Sequence, residues 1–325
     1  MNLAGNRNTD NTTSGQGASV QTRTSAFTNL RDSYVGLSSK YGTGLAGYLS
    51  TPFRSSLTSF DVMPGATGSS QIDVQMGSMR LSGVTGFSSA IRGSAVAYAM
   101  PTLYGFDASV AYVGSNLNGA SNSITPSACT TGSACSIAPI SAWGLNLGWT
   151  GYGLNIKGAF QQANNNVSNV ANLGTNNIGD YTSYLVGAGY TGIQNLKTSV
   201  VYIRNSLGTN GVSPLSTGGA NKISNNQLYA GVSYRMGNWE PRVSATWSSD
   251  MDGSSVQQLG SRQWTANVGY YLSKRTQVYG LVSNLNNSAN QGYVFGQQTN
   301  TLGTPNSGTL GANLFTYGMG MRTTF

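Results

Sequence analysis

The feature that most constrains this chain is a period-two alternation of large apolar residues with small or polar ones. Trp143, Leu145, Leu147 and Trp149, for example, alternate with a glycine, an asparagine and a second glycine. The same pattern recurs at 106–112, 228–236, 239–247 and 264–272. Because successive side chains of a strand point to opposite faces of a sheet, the pattern predicts half-buried β-strands. We find no stretch with a helical period.

The last thirteen residues, 313–325, repeat this pattern and end on an aromatic residue. One phase carries Phe315, Tyr317, Met319, Met321, Thr323 and Phe325, whereas the other carries Thr316, Gly318, Gly320, Arg322 and Thr324. Such a strand suits a sheet with hydrocarbon on one side and water on the other, and in a membrane that sheet must close into a barrel. An amphipathic edge strand of a soluble sheet would show the same local pattern.

The composition favours many short strands joined by polar loops. Only 8% of the 325 residues are charged, against about 25% in an ordinary soluble domain. The chain has 44 Gly, and its 18 Tyr, 9 Phe and 5 Trp are too many aromatic residues for a disordered coil. No apolar run is long enough for a transmembrane helix, but a barrel strand needs only about 9–11 residues, half of them polar.

The ionisable residues exclude most other functions. The formal net charge is +8, but no cluster of Lys and Arg marks a nucleic-acid surface, so we expect no nucleic-acid partner. With no His and a single Glu, the chain offers few groups for acid–base catalysis, and we predict neither enzymatic activity nor a cofactor. Asp250 and Asp252 precede Gly253, but a calcium loop needs more oxygen ligands than this, so we predict no metal site.

Cys129 and Cys135 are the two cysteines of the chain, and they lie in a stretch rich in Ser, Thr and Gly. The absence of His and of other Cys disfavours zinc. The favoured interpretation is a local disulfide in a loop tip, which requires an oxidising compartment; two free thiols are the alternative.

Thirteen strands are predicted, and the connections between them alternate in length. The strands are 32–40, 41–50, 88–100, 105–115, 141–151, 152–163, 181–192, 193–205, 225–237, 238–250, 262–274, 275–286 and 313–325. Short turns alternate with long polar loops at about 116–140, 164–180, 206–224, 251–261 and 287–312. Short periplasmic turns and long extracellular loops are typical of outer-membrane barrels. Aromatic residues at the strand ends fit interfacial girdles, although a soluble β-protein could use them in its core.

Three stretches resemble the trimeric general porins of beta-proteobacteria. They are RDSYVGLSSKYGTGLAGYLSTPF at 31–53, YLSKRTQVYG at 271–280 and the terminal GMGMRTTF. The resemblance covers nearly the whole chain and implies an all-β fold, a 16-stranded antiparallel transmembrane β-barrel. Residues 32–40 are similar to the fourth strand of that barrel. We therefore expect about thirteen strands here, with the first three and the signal peptide missing from a single domain over 1–325. The cysteine pair is not a general feature of the family.

The resemblance implies an outer-membrane porin for passive diffusion of ions and small hydrophilic solutes. The inward-folded third loop of the family would span 51–88 and form the pore constriction, to which we assign Arg54, Asp61, Asp73, Arg80 and, just beyond it, Arg92. Strand phase adds the pore-wall residues Asp107, Lys157, Arg235, Glu240, Arg242 and Arg322. Four of these six are basic, so we predict a weak to moderate anion preference. Each could equally be a solvated wall charge far from the constriction.

Partners follow from the same resemblance. It implies a homotrimer in the outer membrane of a Gram-negative bacterium, in contact with lipid and lipopolysaccharide. Phe325 is similar to the terminal Phe that the outer-membrane assembly machinery reads. Two other functions stay open at this point. One is a structural or adhesive surface barrel without significant conductance, and the other is a soluble secreted β-protein.

Overall fold

The fold is known from a computed structural model that describes residues 32–63, 75–80, 87–88, 91–114, 141–164, 179–209, 220–295 and 310–323. Thirteen strands form one antiparallel sheet, in which each strand pairs with its neighbour in the sequence. They are β1 (Ser33–Ser39), β2 (Gly42–Ser50), β5 (Arg92–Ala99), β6 (Phe106–Val113), β7 (Ser141–Gly151), β8 (Leu154–Asn164), β9 (Tyr181–Tyr190), β10 (Leu196–Gly208), β11 (Lys222–Tyr234), β12 (Trp239–Ser248), β13 (Ser261–Tyr271), β14 (Thr276–Asn287) and β15 (Asn313–Thr323).

The thirteen predicted strands are confirmed, with shifts of a few residues at their ends. The short and long connections also alternate as predicted. Short ones lie at 40–41, 100–105, 152–153, 191–195, 235–238 and 272–275, at one end of the sheet, and the strand ends that the long ones join lie at the other end. Within the described residues, β1 and β15 are the two edges of the sheet.

Between β2 and β5 the chain forms elements that the alternation did not predict. They are the helix α1 (Pro52–Ser59) and a small sheet of β3 (Ser78–Met79) and β4 (Phe87–Ser88). The expectation that the chain has no helix was therefore wrong. Thr51 caps α1, since its side chain accepts a hydrogen bond from the backbone N–H of Arg54, and proline follows in the first turn. No helix in the described part of the chain is long and apolar enough to cross a membrane.

The two faces of the large sheet are inverted relative to a soluble protein. On one face, which we call the outer face, large apolar side chains are exposed; Leu147, for example, is 57% exposed. On the opposite face, the inner face, polar side chains such as Asn205, Gln227 and Ser283 are fully buried. Because exposing so much apolar surface to water is unfavourable, the outer face is suited to hydrocarbon.

Aromatic residues on the outer face form two rows along the sheet. Four strands each place a pair of aromatics six residues apart, which is about 20 Å along a strand. The pairs are Phe106 and Tyr112, Trp143 and Trp149, Tyr184 and Tyr190, and Trp264 and Tyr270. Rings of neighbouring strands touch within each row: the centroids of Trp143 and Phe160 are 4.9 Å apart, and those of Trp239 and Tyr270 are 4.8 Å apart. Two such rows match the aromatic girdles at the interfaces of a membrane barrel.

We predict that Leu147→Arg lowers the free energy of unfolding by about 2–4 kcal/mol, because it places a charge on the outer face between the two aromatic rows. Urea unfolding of the protein refolded into lipid vesicles measures the loss. Tyr104→Arg, in the exposed turn before β6, is the control and should change the free energy little. An equal effect of the two substitutions would contradict lipid contact at Leu147.

Candidate functional site

The described residues 51–63 and 75–80, between β2 and β5, lie against the inner face of the sheet. After Thr51 the chain turns inward, and α1 contacts β6, β7, β8 and β9. Thr51 donates a hydrogen bond from its hydroxyl to the Gln161 amide oxygen on β8, at 2.6 Å. We call the described residues 51–63 and 75–80 the inward segment.

An apolar cluster holds the inward segment on the wall. Phe53, Leu57, Phe60 and Met76 are fully buried. They pack on a patch of the inner face formed by Ala159, Leu185, Val201, Ile203 and Tyr229. Complete burial of such a side chain contributes about 1.5–3 kcal/mol, so these four side chains supply a large part of the docking energy.

Residues 60–62 contribute polar contacts with β10 and β11. The Phe60 carbonyl accepts a hydrogen bond from the Ser199 hydroxyl at 2.6 Å, and the Asp61 carbonyl accepts one from Lys197 Nζ at 2.8 Å. The Val62 N–H donates to the Tyr229 hydroxyl at 3.2 Å. These bonds fix the backbone of residues 60–62 against the wall.

Glycine makes room for the Phe60 ring. The ring lies directly over Gly187 on the inner face of β9, where a Cβ atom would overlap it, and next to Gly189. The backbone of the wall can therefore approach the ring more closely than any other residue would allow.

The Gln227 amide on β11 holds the second limb of the inward segment, which is residues 75–80; the first limb is residues 51–63. Its Nε2 donates to the carbonyls of Gln75 and Ser78 at 2.9 and 2.7 Å, and its Oε1 accepts from the Gly77 N–H at 2.7 Å. The side chain is fully buried. Gln227 and Tyr229 are two residues apart on the same face of β11, so adjacent side chains of one strand hold both limbs.

Two tyrosines complete this attachment. The Tyr181 hydroxyl donates to the Gly77 carbonyl at 3.1 Å, and the Tyr293 hydroxyl donates to the Ser78 carbonyl at 3.0 Å. Burial raises the pKa of Tyr293, which keeps its proton available for this bond. Arg80 lies over the Tyr293 ring at 5.7 Å and donates to the Gly292 carbonyl at 3.3 Å, while burial lowers its pKa.

The predicted constriction residues have different surroundings. Arg54 is buried in α1, and Arg80 is buried against the connection after β14. The Asp61 carboxylate accepts a hydrogen bond from the Met63 N–H at 2.9 Å, beside Lys197. Asp73 lies outside the described residues, as do Cys129, Cys135 and Phe325.

Arg92 is in a different position from the one predicted. It shares its strand phase with Val96 and Tyr98, whose side chains are exposed on the outer face. Its Nε donates to the Ser50 hydroxyl at 2.8 Å and lies 3.6 Å from an Asp32 oxygen. Because strand register places it on the outer face, we leave Arg92 out of the constriction.

The predicted wall residues share the phase of the inner face. Asp107 on β6 and Lys157 on β8 lie on either side of Gly148 in one row of the sheet. Arg322 on β15 is opposite Gln277 on β14. Arg235 follows the last residue of β11, in phase with the inner face.

Glu240 and Arg242 form a charged network on the wall. Arg242 donates to Glu240, to Asn267 Oδ1 at 2.7 Å and to Gln277 Oε1 at 3.2 Å. The Tyr271 hydroxyl donates to Glu240 at 2.7 Å, and the Arg235 guanidinium lies 4.0 Å from the centroid of the Tyr271 ring. The network satisfies both charges of the pair and aligns side chains of three neighbouring strands.

Sequence reasoning missed Lys197, Gln227 and Tyr229. Lys197 could have been found, because its phase in β10 is opposite to that of Val200 and Tyr202. Tyr229 is a large aromatic residue among the small and polar ones of its phase, which is a signal that it contacts something inside. Gln227 gave no signal, since nothing in its local sequence indicates a partner about 150 residues away.

Asp250, which was considered for a metal site, stabilises the connection between β12 and β13. Its carboxylate accepts hydrogen bonds from the backbone N–H groups of Met251, Gln258 and Leu259, at 2.7–2.9 Å. The carboxylate therefore caps a turn of the backbone.

Comparison with known families decides the identity of this sheet. The model of the Gram-negative porin family matches residues 2–290. The chain belongs to this family. It is thus an outer-membrane β-barrel that forms a water-filled channel, in agreement with the inverted faces of the sheet. No match is found among curated protein sequences.

Solved porin structures share the fold. An anion-selective porin from Comamonas acidovorans has a TM-score of 0.61 and 20% identity, covering 91% of this chain and 78% of that one. The trimer form of OmpT from Vibrio cholerae has a TM-score of 0.57 and 15% identity, covering 90% and 80%. OmpF of Salmonella typhi, in complex with daunomycin, has a TM-score of 0.55 and 16% identity, covering 90% and 78%.

We predict that Gly187→Ala destabilises the docked segment by about 1–3 kcal/mol, because the new methyl group overlaps the Phe60 ring. The free energy of unfolding in lipid vesicles measures this. Gly158→Ala is the matched control, since its Cβ would meet nothing closer than a carbonyl oxygen at 3.9 Å. An equal loss of unfolding free energy in both variants would show that replacing glycine affects the backbone, and that the contact with the Phe60 ring is not the cause.

Gln227→Leu should loosen residues 75–79 while leaving the sheet intact. The substitution leaves buried backbone groups without their partner, at a cost of about 1–3 kcal/mol for each such group. Amide hydrogen exchange measured by mass spectrometry should quicken in 75–79 and stay unchanged in β12–β14. Gln162→Leu, at a residue bonded to Asp180 near the surface, should have neither effect. Unchanged exchange in 75–79 would show that Gln227 does not hold this limb.

Proposed function

We propose that this porin is a diffusion channel for ions and small hydrophilic solutes with a weak preference for anions. The observation that carries the proposal is the excess of basic side chains on the inner wall. Within the described strands, four basic residues share the inner-face phase, namely Lys157, Lys197, Arg242 and Arg322, and Arg235 directly follows β11 in the same phase; the acidic ones on these strands are Asp107 and Glu240. The fixed charges lining a pore set its ion selectivity.

The constriction is proposed to lie at the inward segment, within residues 51–88. The segment lies across the inner faces of β6 to β11 and so narrows the lumen there. Lys197 and Asp61 are proposed to be the charges closest to passing solutes at this level, while Arg54 and Arg80 support the segment from buried positions. A role for Asp73 in the constriction stays a prediction.

A closed barrel of sixteen strands is proposed, assembled as a homotrimer in the outer membrane. The trimer form of the Vibrio structure, which shares the fold, supports this assembly. Exposed apolar side chains on the outer faces of β1 and β15, such as Leu37 and Met319, are available for contact with lipid or with a neighbouring subunit. Lipopolysaccharide is the proposed lipid partner in the outer leaflet, and Phe325 the proposed signal to the assembly machinery.

Planar-bilayer recording tests the proposal. Purified protein should form open channels, and in a KCl gradient the reversal potential should have the sign of anion preference. Lys157→Glu should shift it toward cation preference, because it reverses one lumen charge. Arg204→Glu makes the same change of charge on the outer face and should leave the reversal potential unaltered.

Two outcomes would contradict the proposal. Clear cation selectivity of the wild-type channel would overturn the anion preference. Silent bilayers, with protein shown to be inserted, would favour the structural or adhesive barrel instead.

A further inference from the structure

The charged residues of this porin are separated along the axis of the barrel. Apart from the connection between β2 and β5, the long connections, at 114–140, 165–180, 209–221, 249–260 and 288–312, carry three acidic residues and no Lys or Arg. Those acids are Asp180, Asp250 and Asp252. The six short connections carry four basic residues and no acid, the bases being Lys40, Arg235, Lys274 and Arg275. Since long loops are extracellular and short turns periplasmic, the outer mouth is negative and the inner mouth positive.

The inner wall extends this separation into the lumen. Lys157, Lys197, Arg242 and Arg322 all lie within the first or last four residues of their strands, on the side of the short connections. The acids Asp107 and Glu240 also lie there, and Glu240 is neutralised by Arg242. In the other half of the described sheet, the inner face carries no charged side chain. The positive region of the wall is thus confined to the periplasmic half.

Basic residues near the extracellular ends of the strands do not oppose this separation. Arg92, Arg204, Lys222 and Arg262 all have the phase of the outer face, so the sheet lies between them and the lumen. The charged residues of the 51–88 stretch, Arg54, Asp61, Asp73 and Arg80, sum to zero. Asp32, which precedes β1 at the extracellular end of the sheet, adds a further negative charge there, so the axial difference remains for the charges from Asp32 to Thr323.

From this arrangement we infer that the channel rectifies, conducting more current when the extracellular side is positive. That polarity drives cations inward through the negative mouth and anions outward through the positive one, so both ions accumulate in the lumen. The opposite polarity draws both ions out of the lumen and depletes it. Fixed charges act over about 30 Å at 10 mM salt and about 3 Å at 1 M, so rectification should fade as salt is added.

The inference rests on the proposed diffusion channel, and recordings of single channels test it. The reporter variant carries Asn238→Cys in a short periplasmic turn, together with Cys129→Ser and Cys135→Ser, which remove the native thiols. A membrane-impermeant thiol reagent added to one chamber then reveals the orientation of each channel. The current with the extracellular side at +100 mV should exceed the current with that side at −100 mV by about 1.5-fold or more in 10 mM KCl. In 1 M KCl the two currents should be nearly equal.

Charge substitutions supply the decisive comparison. The double variant Lys157→Gln, Arg322→Gln removes two positive charges from the lumen and should bring the current ratio toward one. Arg204→Gln, Arg262→Gln removes the same charge from the outer face and should keep the wild-type ratio. Equal currents at the two polarities in 10 mM KCl, or rectification of the opposite sign, would overturn the inference while leaving the channel intact. Absence of any current would instead contradict the channel itself.

Discussion

The structure depends on one constraint, which is that backbone polar groups within a bilayer need partners inside the protein. The antiparallel ladder from β1 to β15 supplies those partners through hydrogen bonds between sequence neighbours. Once the backbone is satisfied in this way, side chains decide only what each face contacts. Large apolar side chains outside and polar ones inside are the solution that hydrocarbon and water together impose.

The inner face of an inverted sheet borders the lumen, so apolar packing there is confined to local clusters. The inward segment builds one of them. Phe53, Leu57, Phe60 and Met76 create a local apolar core against one part of the wall, and the wall supplies a matching patch with a glycine under Phe60. Hydrogen bonds with Gln227 and Tyr229 then fix the position of the segment's backbone. Apolar contact alone is not directional and would not define that position. With the constriction proposed at this segment, the bore of the channel depends on contacts that are separate from those that build the sheet.

Much of the sheet could be predicted from the sequence, because alternation is a local pattern and each strand pairs with its neighbour. The helix α1 was missed although Thr51 and Pro52 are a helix-start signal, since eight residues are too few to show a period. Arg92 was assigned to the constriction from its nearness to the loop, whereas its phase with Val96 and Tyr98 already indicated the outer face. Gln227 could not be predicted, because its role is set by the position of a distant backbone.

The contacts of Gln227 and Tyr229 with the inward segment bear on the order of folding. They join residues 150 and 167 positions apart, whereas the pairing of β2 through β15 joins neighbours along the chain. Closing such long loops costs entropy and is slow, so the wall should form first and the segment should settle onto β11 last. With the constriction proposed at this segment, a chain arrested before that final step would already have its wall in the membrane, and it would admit larger solutes than the finished channel.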